Sequence, residues 1–201
     1  KNFDKHIAIG SLGQFFRNSK ESFKSLRKKF LITDKKKEDI MKSHLNTKNK
    51  KKIGLSWKTL NMKQQYRNIS LENLLPLINL EDCEFVNLQF GETSEDINFI
   101  KNNYKINITN IENLDNYNDI DNLAALINSL DLVISIQNTV AHLSAALGKK
   151  TWILLAKNAR WHWTVNEKES LWYPTAKLFK QSTMGDWNSV VNDISTEIKK
   201  I

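Results

Sequence analysis

Residues 131–148 place a short apolar stretch directly before a helix, and this arrangement constrains the fold more than any other part of the sequence. Leu132–Ile136 is a nearly continuous apolar run, which is typical of a strand buried on both faces. The polar segment Gln137-Asn138-Thr139, the elbow, ends this run, and its second or third residue can cap the following helix. Gly148 suits the position just after that helix. Because backbone N–H groups at a helix start lack partners, the elbow predicts an anion-binding edge of an α/β sheet.

Strand patterns alternate with helix patterns from residue 51 onward, which predicts an α/β fold with a doubly wound parallel sheet. Right-handed crossovers place the carboxyl ends of all its strands at one edge, where ligands bind in such sheets. The predicted strands are 53–57, 83–90, a weaker 106–111, 132–136 and 150–155, and the predicted helices are 70–78, shortened by Pro76, then 93–104, 122–130, 138–148 and 186–199.

Residues 1–50 have a less regular pattern, and we interpret them as the tail of a preceding domain followed by a linker, with residues 51–201 forming the α/β domain. The chain begins with Lys1 rather than Met, and we expect it to be a piece of a longer protein. Within this segment the pattern predicts short strands at 6–12 and 30–32, a short helix at 22–29, a charged helix at 35–45 and a polar linker at 46–51.

Composition limits the possible partners and the compartment. The 201 residues carry a formal net charge of +8, and much of the excess lies in the runs 27–29, 35–37 and 48–52. Such runs usually form a solvated surface, so we favour that interpretation over a site for nucleic acid or another polyanion. Cys83 is the only cysteine, which excludes an internal disulfide and favours a reducing compartment. No apolar run reaches the roughly 18 residues of a membrane span, so we expect a cytoplasmic protein without a transmembrane segment.

Three loops are predicted to meet at the carboxyl edge of the sheet. They follow strand 53–57, strand 132–136 and strand 150–155, and together they supply cations, hydrogen-bond donors and a helix start. Those groups suit a diphosphate. The alternative for the two cations of the first loop is pairing with nearby carboxylates. The candidate binding residues are Ser56, Trp57, Lys58 and Arg67 of the first loop and Gln137, Asn138, Thr139 and His142 of the second, with residues 157–163 forming the third.

His142 and a group of aromatic residues each allow two interpretations. At about 100° per residue, His142 points away from the apolar face of its predicted helix, so we favour a ligand-facing role over a structural one. The aromatic group forms either a small core under a long loop, which we favour, or a stacking platform for a base or sugar ring. Its members are Trp161, His162, Trp163, Trp172 and Tyr173.

Several cofactor and metal motifs are absent. Asp119-Ile120-Asp121 has an Asp-x-Asp form, but it lies in an Asn/Asp-rich loop where such a match carries little weight. The sequence contains no Cys/His cluster with zinc spacing, no Gly-x-x-x-x-Gly-Lys-Ser/Thr loop and no Gly-x-Gly-x-x-Gly fingerprint. These absences disfavour a P-loop enzyme and a common dinucleotide dehydrogenase.

Gln137 through Gly148 resembles the Asp-Thr/Asn-x-x-x-His-Leu-x-x-Ala-Leu-Gly signature of the heptosyltransferase-like glycosyltransferases of family 9. It is more similar still to relatives found at the C-terminal end of bacterial tetratricopeptide-repeat proteins. Residues 7–33 also look like the last stretch of the partner domain in such proteins. Further matching segments keep their order over residues 52–200: Gly54-Leu55-Ser56-Trp57, Arg67-Asn68-Ile69-Ser70-Leu71, Phe85-Val86-Asn87-Leu88-Gln89, and Trp172-Tyr173-Pro174 through Leu178-Phe179-Lys180-Gln181 to Gly185-Asp186-Trp187.

The resemblance implies the C-terminal half of a GT-B fold, in which two Rossmann-like domains face each other and the C-terminal one holds a nucleotide-sugar donor. It implies metal-independent, inverting transfer of the sugar to an acceptor hydroxyl, with cations and helix dipoles stabilising the leaving diphosphate. By position, Arg67 matches a phosphate-contacting residue, and Asn138, Thr139 and His142 match the donor-binding elbow. The implied partners are the donor, a saccharide or protein acceptor, an N-terminal GT-B domain and upstream tetratricopeptide repeats, with no cofactor.

Gln137 departs from this family, whose elbow usually begins with Asp. An amide forms hydrogen bonds but brings no charge, which affects donor identity or activity. The family's catalytic base lies in the N-terminal domain, a region that this sequence does not contain, so we expect the domain alone to transfer little. The leading hypothesis is the donor-binding domain of a glycosyltransferase. The alternative is a catalytically degenerate GT-B module that acts as a binding or scaffold domain, and the Gln137 replacement favours it.

Overall fold

The computed structural model describes residues 3–45, 49–163 and 168–200. Its centre is one five-stranded sheet in which every neighbouring pair is parallel. This confirms the predicted α/β, doubly wound Rossmann-like sheet. The strands are Lys51–Ser56 (β1), Cys83–Asn87 (β2), Leu132–Ile136 (β3), Thr151–Leu155 (β4) and Ala176–Lys180 (β5).

The order of the strands is β2-β1-β3-β4-β5, so β1 pairs with β2 on one side and with β3 on the other. The connections after β1 and β3 therefore run to opposite sides, and a crevice opens between the carboxyl ends of these two strands. Ser56 at the end of β1 is in register with Ser135, one residue before the end of β3. The elbow thus begins at the position where parallel α/β sheets bind ligands.

Helices cover both faces of the sheet. One face buries apolar side chains of α3, α4 and α7, and the other those of α2, α5 and α6, because alternate residues of each strand point to opposite faces. In the described ranges no helix is long and apolar enough to cross a membrane. The helices are Gly13–Phe16 (α1), Lys35–His44 (α2), Leu75–Ile78 (α3), Ser94–Tyr104 (α4), Ile120–Asn128 (α5), Thr139–Ala146 (α6) and Trp187–Ile198 (α7).

The structure around the elbow agrees with its sequence pattern. All five residues of β3 are buried, as the continuous apolar run predicts. Asn138 is the N-cap of α6. After the helix Gly148 has a positive φ of 72°, and its N–H bonds Ala145 O while the N–H of Lys149 bonds Ser144 O. These two bonds form a Schellman motif, which satisfies the last carbonyl groups of the helix.

The predictions for residues 6–32 are wrong in detail. Residues 6–12 contain the 3-10 turn Ile9–Ser11 instead of a strand, and the predicted helix 22–29 is reduced to the 3-10 turn Glu21–Phe23. Residues 30–32 are not a strand either, since Phe30 and Leu31 both donate their N–H groups to Ala146 O. These segments bury little side-chain surface and have no neighbouring strand in the described chain, so nothing favours an extended ladder there.

The charged helix predicted at residues 35–45 is confirmed as α2. Asp34 caps it by accepting hydrogen bonds from the N–H groups of Lys36 and Lys37. Met41 and Leu45 are buried in the apolar cluster that contains α5, so this helix packs on the sheet domain. Residues 46–48 of the predicted linker lie outside the described residues. The assignment of residues 1–50 to a preceding domain stays a prediction.

Three further segments differ from expectation. Residues 106–111 do not form a sheet strand, because only Thr109 bridges to β2, at Val86. The sequence did not predict β5, which completes the sheet beside β4. Ser70 caps a turn rather than a helix, and regular α3 begins only at Leu75. Pro76 lies in the first turn of α3, where a missing N–H is tolerated.

Candidate functional site

A cleft of about 250 Å³ lies at the crevice between the carboxyl ends of β1 and β3. The elbow, the loop after β1 and the loop after β4 all contribute to it, so the three predicted loops do meet. The loop after β2 adds one aromatic side chain. The lining residues are Thr59, Asn61, Gln64, Arg67, Phe90, Gln137, Asn138, Thr139, His142, Arg160, His162 and Trp163.

The described charged residues that line this cleft are both cations. Arg67 and Arg160 line it, and none of its lining residues in ranges 3–45, 49–163 and 168–200 is an aspartate or a glutamate. The two histidines that line it have lowered pKa values, mainly because of burial, so they add no positive charge at neutral pH. Two guanidinium groups without a neighbouring acid on the wall attract an anion, and their paired N–H groups match phosphate oxygens.

Arg67 is a buried cation whose partners are all neutral. It is 6% exposed and ends the 3-10 turn Met62–Arg67. Its Nη1 donates to Oε1 of Gln64 at 2.8 Å, while Nε and Nη2 donate to the Tyr66 hydroxyl at 3.3 and 3.2 Å. Among the described residues no carboxylate forms an ion pair with it. Burying a charge without a counter-charge is costly, so this arrangement is suited to a bound anion.

Gln137 brings an unused hydrogen-bond donor to the same cleft. The side chain is buried, with 5% exposure, and its Oε1 accepts a hydrogen bond from the backbone N–H of Arg160 at 3.5 Å. Its Nε2 is buried and has no hydrogen-bond partner within the described chain. Buried amide nitrogens are nearly always bonded in native proteins, so this donor is a candidate ligand contact.

Asn138 joins β1, β3 and α6. Its Oδ1 accepts hydrogen bonds from two N–H groups in the first turn of α6, at 3.0 and 3.4 Å, and from the Ser135 hydroxyl at 3.0 Å. Its Nδ2 donates to the Ser56 hydroxyl at 2.7 Å. The exposed Thr139 follows it on the cleft wall. The hydrogen bonds of Asn138 therefore hold the elbow in place. Direct contact of Asn138 or Thr139 with a ligand stays a prediction.

The segment Ser56-Trp57-Lys58 lies beside the cleft without lining it. Oε1 of Gln89 accepts hydrogen bonds from Oγ of Ser56 and from the backbone N–H groups of Trp57 and Lys58, at 3.0, 3.0 and 2.9 Å. Nζ of Lys58 pairs with Asp96 at 2.6 Å, and Nε1 of Trp57 donates to the same carboxylate at 3.1 Å. The structure thus shows carboxylate pairing for Lys58 but not for Arg67, and ligand contact by this segment stays a prediction.

Sequence reasoning did not single out Gln89, Asp96 or Arg160. Gln89 and Asp96 reach the loop after β1 only because β2 is the neighbour of β1 in the sheet, which the local sequence does not reveal. Gln89 does lie in the segment 85–89 that matches the related proteins, and this match was the sequence feature that could have pointed to it. Arg160 lies in the predicted third loop, and its place on the cleft wall depends on the strand order.

His142 is a neutral member of the wall. Its ring stacks on Trp163 with centroids 4.5 Å apart, and its Nδ1 lies 3.0 Å from the Tyr173 hydroxyl. Burial, with smaller contributions from nearby His162 and Arg160, lowers the pKa of His142 to about 4. At pH 7 the ring therefore serves as a neutral hydrogen-bonding surface rather than as a cation. Its position on the cleft agrees with the predicted orientation, and its role in binding stays a prediction.

A second cavity of about 450 Å³, the aromatic groove, adjoins the cleft and shares His142 and His162 with it. The core interpretation of the aromatic residues holds for Trp163, and a stacking role for the others stays a prediction. Trp163 is 1% exposed and belongs to a small apolar core with residues of α6 and β4, whereas Trp161 is 77% exposed. The remaining lining residues are Phe30, Leu31, Ala146, Trp161, Trp172 and Tyr173.

The Asp-x-Asp segment has structural partners. Asp119 caps α5 by accepting a hydrogen bond from the Asn122 N–H at 3.1 Å, and Asp121 pairs with Lys37 at 3.4 Å. Over residues 3–45, 49–163 and 168–200 no group of three or more His, Cys, Asp or Glu side chains is placed to hold a metal ion.

Comparison with known proteins finds similarity both in sequence and in structure. No protein-family model matches the chain. Protein FlbA of Caulobacter vibrioides is 30% identical over 201 residues, an alignment that covers 98% of this chain and 33% of FlbA. The chain thus spans about a third of that relative.

Two solved structures with a similar fold are glycosyltransferases. Escherichia coli ADP-heptose LPS heptosyltransferase II matches with a TM-score of 0.56 and 14% identity, over 84% of this chain and 54% of that one. The glycosyl transferase family 9 structure from Veillonella parvula matches with a TM-score of 0.53 and 14% identity, over 85% of this chain and 46% of that one. The chain therefore has a fold like that of the family 9 glycosyltransferases.

Proposed function

We propose that the cleft binds the phosphoryl groups of a nucleotide-sugar donor, and that this domain is the donor-binding half of a metal-independent inverting glycosyltransferase. One observation carries the proposal. Arg67 is buried at the strand switch point, and neither an ion-pair partner for it nor an acidic lining residue of the cleft occurs among the described residues. A bound anion would balance this buried charge.

The chemistry follows from where charge develops during transfer. In a sugar transfer the bond between the anomeric carbon and the phosphate oxygen breaks, and the leaving phosphate gains negative charge. Arg67 and Arg160 are placed to stabilise that charge, and Arg67 needs little reorganisation because neutral hydrogen bonds already hold it. The oxygen of the acceptor hydroxyl attacks the anomeric carbon from the opposite face. Its proton passes to a base that we place outside this domain.

The acceptor and the rest of the protein belong to the same proposal. The chain spans about a third of FlbA and about half of each glycosyltransferase structure. We propose that an N-terminal GT-B domain supplies the base and the acceptor site, and that upstream tetratricopeptide repeats recruit a saccharide or protein acceptor. The similarity of fold supports the first of these statements, and the sequence resemblance supports the second.

Gln137 favours a second candidate function, a GT-B module that binds a ligand or partner without transferring sugar. The related signature has an acid at this position, and an amide changes the charge of the wall next to the reacting group. Incubation of the full-length protein with a panel of nucleotide sugars distinguishes the two functions. Release of a nucleoside phosphate that depends on an acceptor excludes the inactive module.

Calorimetry on the full-length protein tests the binding site. We expect Arg67→Ala to weaken the binding of pyrophosphate and of the best-bound nucleoside diphosphate by about 10- to 100-fold, which is the usual value of a hydrogen bond to a charged group. Lys63→Ala is the matched control, because Lys63 is an exposed cation of the same 3-10 turn that does not line the cleft. Equal affinities of Arg67→Ala and wild type would refute the site.

A further inference from the structure

Two buried glutamines follow strands of the sheet, and only one of them reaches the cleft. Gln137 follows β3 and Gln181 follows β5, with exposures of 5% and 1%. In both, Nε2 lacks a partner within the described residues. Oε1 of Gln181 accepts hydrogen bonds from the N–H groups of Lys157 and Gly185, at 3.2 and 3.3 Å, and the side chain does not line the cleft. An unpaired amide nitrogen alone is therefore not a sign of a site, and its position decides its meaning.

The orientation of the Gln137 amide is set by its surroundings. The backbone N–H of Arg160 donates to Oε1, so the end of the amide that remains for a ligand is Nε2. With the two ends exchanged, an N–H group would face the Arg160 N–H and the bond would be lost. Gln137, a lining residue of the cleft, thus keeps an unused donor at Nε2, whereas a carboxylate in its place would offer only acceptors.

The charges of the cleft wall make the choice between an amide and a carboxylate at position 137 important for anion binding. Among the described residues, Arg67 and Arg160 are the charged lining residues of the wall, and no described acid lies there with them. A carboxylate at position 137 would offset one of these two positive charges and would repel phosphoryl oxygens. The amide keeps both charges available and adds a neutral donor.

We propose that Gln137 is a specificity-determining residue of the cleft, which donates a hydrogen bond from Nε2 to an anionic phosphoryl oxygen of the ligand. This inference rests on the proposed binding of a nucleotide-sugar donor in the cleft. Because Oε1 of Gln137 is already used, the amide can donate to the ligand but offers it no acceptor. A phosphoryl oxygen needs only donors, whereas a sugar hydroxyl would also need an acceptor and is therefore a poorer occupant.

The test measures pyrophosphate binding to the full-length protein by calorimetry in three variants. Gln137→Met keeps the length of the side chain and removes the donor, and we expect affinity to fall about tenfold. Gln137→Glu adds repulsion to the lost donor, and we expect a fall of about 100-fold or more. Gln181→Met is the matched control, since it removes a similarly buried and unpaired amide away from the cleft, and we expect unchanged affinity.

Thermal unfolding of the same variants separates ligand binding from a structural role. Gln137→Met also removes the acceptor of the Arg160 N–H, and Gln181→Met removes the acceptor of two N–H groups, so Gln181→Met is the reference for stability. If Nε2 of Gln137 is reserved for a ligand, the midpoint of Gln137→Met falls no further than that of Gln181→Met. A midpoint several degrees below that of Gln181→Met would show that the Gln137 amide supports the fold and would overturn the inference. Pyrophosphate affinities of Gln137→Met and Gln137→Glu equal to wild type, together with weakened binding by Arg67→Ala, would overturn this inference alone. No binding of pyrophosphate or nucleotides by the wild type would refute the proposed function as well.

Discussion

Glu38 and Arg67 are two buried charged residues with nearly equal exposure, 8% and 6%, and very different surroundings. Glu38 on α2 accepts hydrogen bonds from the hydroxyl of Thr33 and the amide of Asn128, and Lys35 lies 3.4 Å from its carboxylate. Arg67 at the cleft has only neutral partners among the described residues. One charge is therefore balanced by the protein, and the other is not.

The different surroundings of Glu38 and Arg67 indicate different roles, with Glu38 stabilising the fold and Arg67 available for binding. The network of Glu38 joins the segment before α2 to the end of α5, on the side of the domain away from the cleft, and its charge is fully used inside the protein. The charge of Arg67 remains available at the point where the strand order reverses. Unbalanced buried charges of this kind concentrate at binding and catalytic sites, whereas balanced ones support the fold.

Breaking the balanced network is the largest change we expect in stability. Glu38→Ala removes the acceptor for Thr33 and Asn128 and leaves their donors partly buried, so the free energy of unfolding should fall by about 2–3 kcal/mol in urea titrations. Asp39→Ala is the matched control, because Asp39 pairs with the same Lys35 at 3.3 Å but is 62% exposed. Its loss should cost less than about 0.5 kcal/mol. Equal losses in the two variants would show that the buried network contributes nothing special.

Acid should remove the stabilisation that the ionised Glu38 gives to the folded protein. The hydrogen bond from Thr33, with that from Asn128, lowers the pKa of Glu38 from its ordinary 4.5 to about 2. Because the folded pKa is the lower one, the stabilisation is complete above pH 4.5 and disappears as the pH falls toward 2. We expect this contribution to be about 1–3 kcal/mol.

Urea unfolding of the wild type and of Glu38→Gln between pH 7 and pH 2 measures this contribution. The wild type should be the more stable protein at pH 7, and the two curves should converge near pH 2. A difference that is constant over the whole range would mean that the negative charge of Glu38 is not the source of the stabilisation.

The fold was predictable where a segment carries its own signals. β3 and α6 were predicted correctly because a nearly continuous apolar run, a capping asparagine and a terminal glycine occur in the right order. β5 was missed, since Ala176–Lys180 is a strand only through its pairing with β4. Residues 3–33 were predicted with regular elements that the structure lacks, because short apolar runs form strands or helices only when a neighbouring surface buries them.

The site was predictable in its position but not in the use of each side chain. The carboxyl edge and the three loops followed from the alternation of strands and helices. The same sequence features made Lys58 and Arg67 equivalent candidates, although Asp96 balances one and no described acid balances the other. That distinction depends on α4 lying beside the loop after β1, which is a property of the tertiary structure.

The smallest effect on stability is expected where the charge is unbalanced. Arg67→Met keeps a long apolar side chain in contact with Tyr66 and removes a buried charge that has no counter-charge in the described chain. The substitution loses neutral hydrogen bonds but also removes the cost of burying a charge, and these two effects are of similar size. The free energy of unfolding should therefore change by less than about 1 kcal/mol in either direction. Lys63→Met, a change of an exposed cation in the same turn, is the control and should also be neutral.

Calorimetry on the same preparations completes the comparison with Glu38. Arg67→Met should lose pyrophosphate affinity by about 10- to 100-fold while the protein stays as stable as wild type, and Glu38→Ala should show the reverse pattern. A loss of more than about 2 kcal/mol in Arg67→Met would mean that the guanidinium supports the fold as Glu38 does. The two buried charges would then have the same role, and the absence of an acid from the cleft wall would no longer point to a ligand.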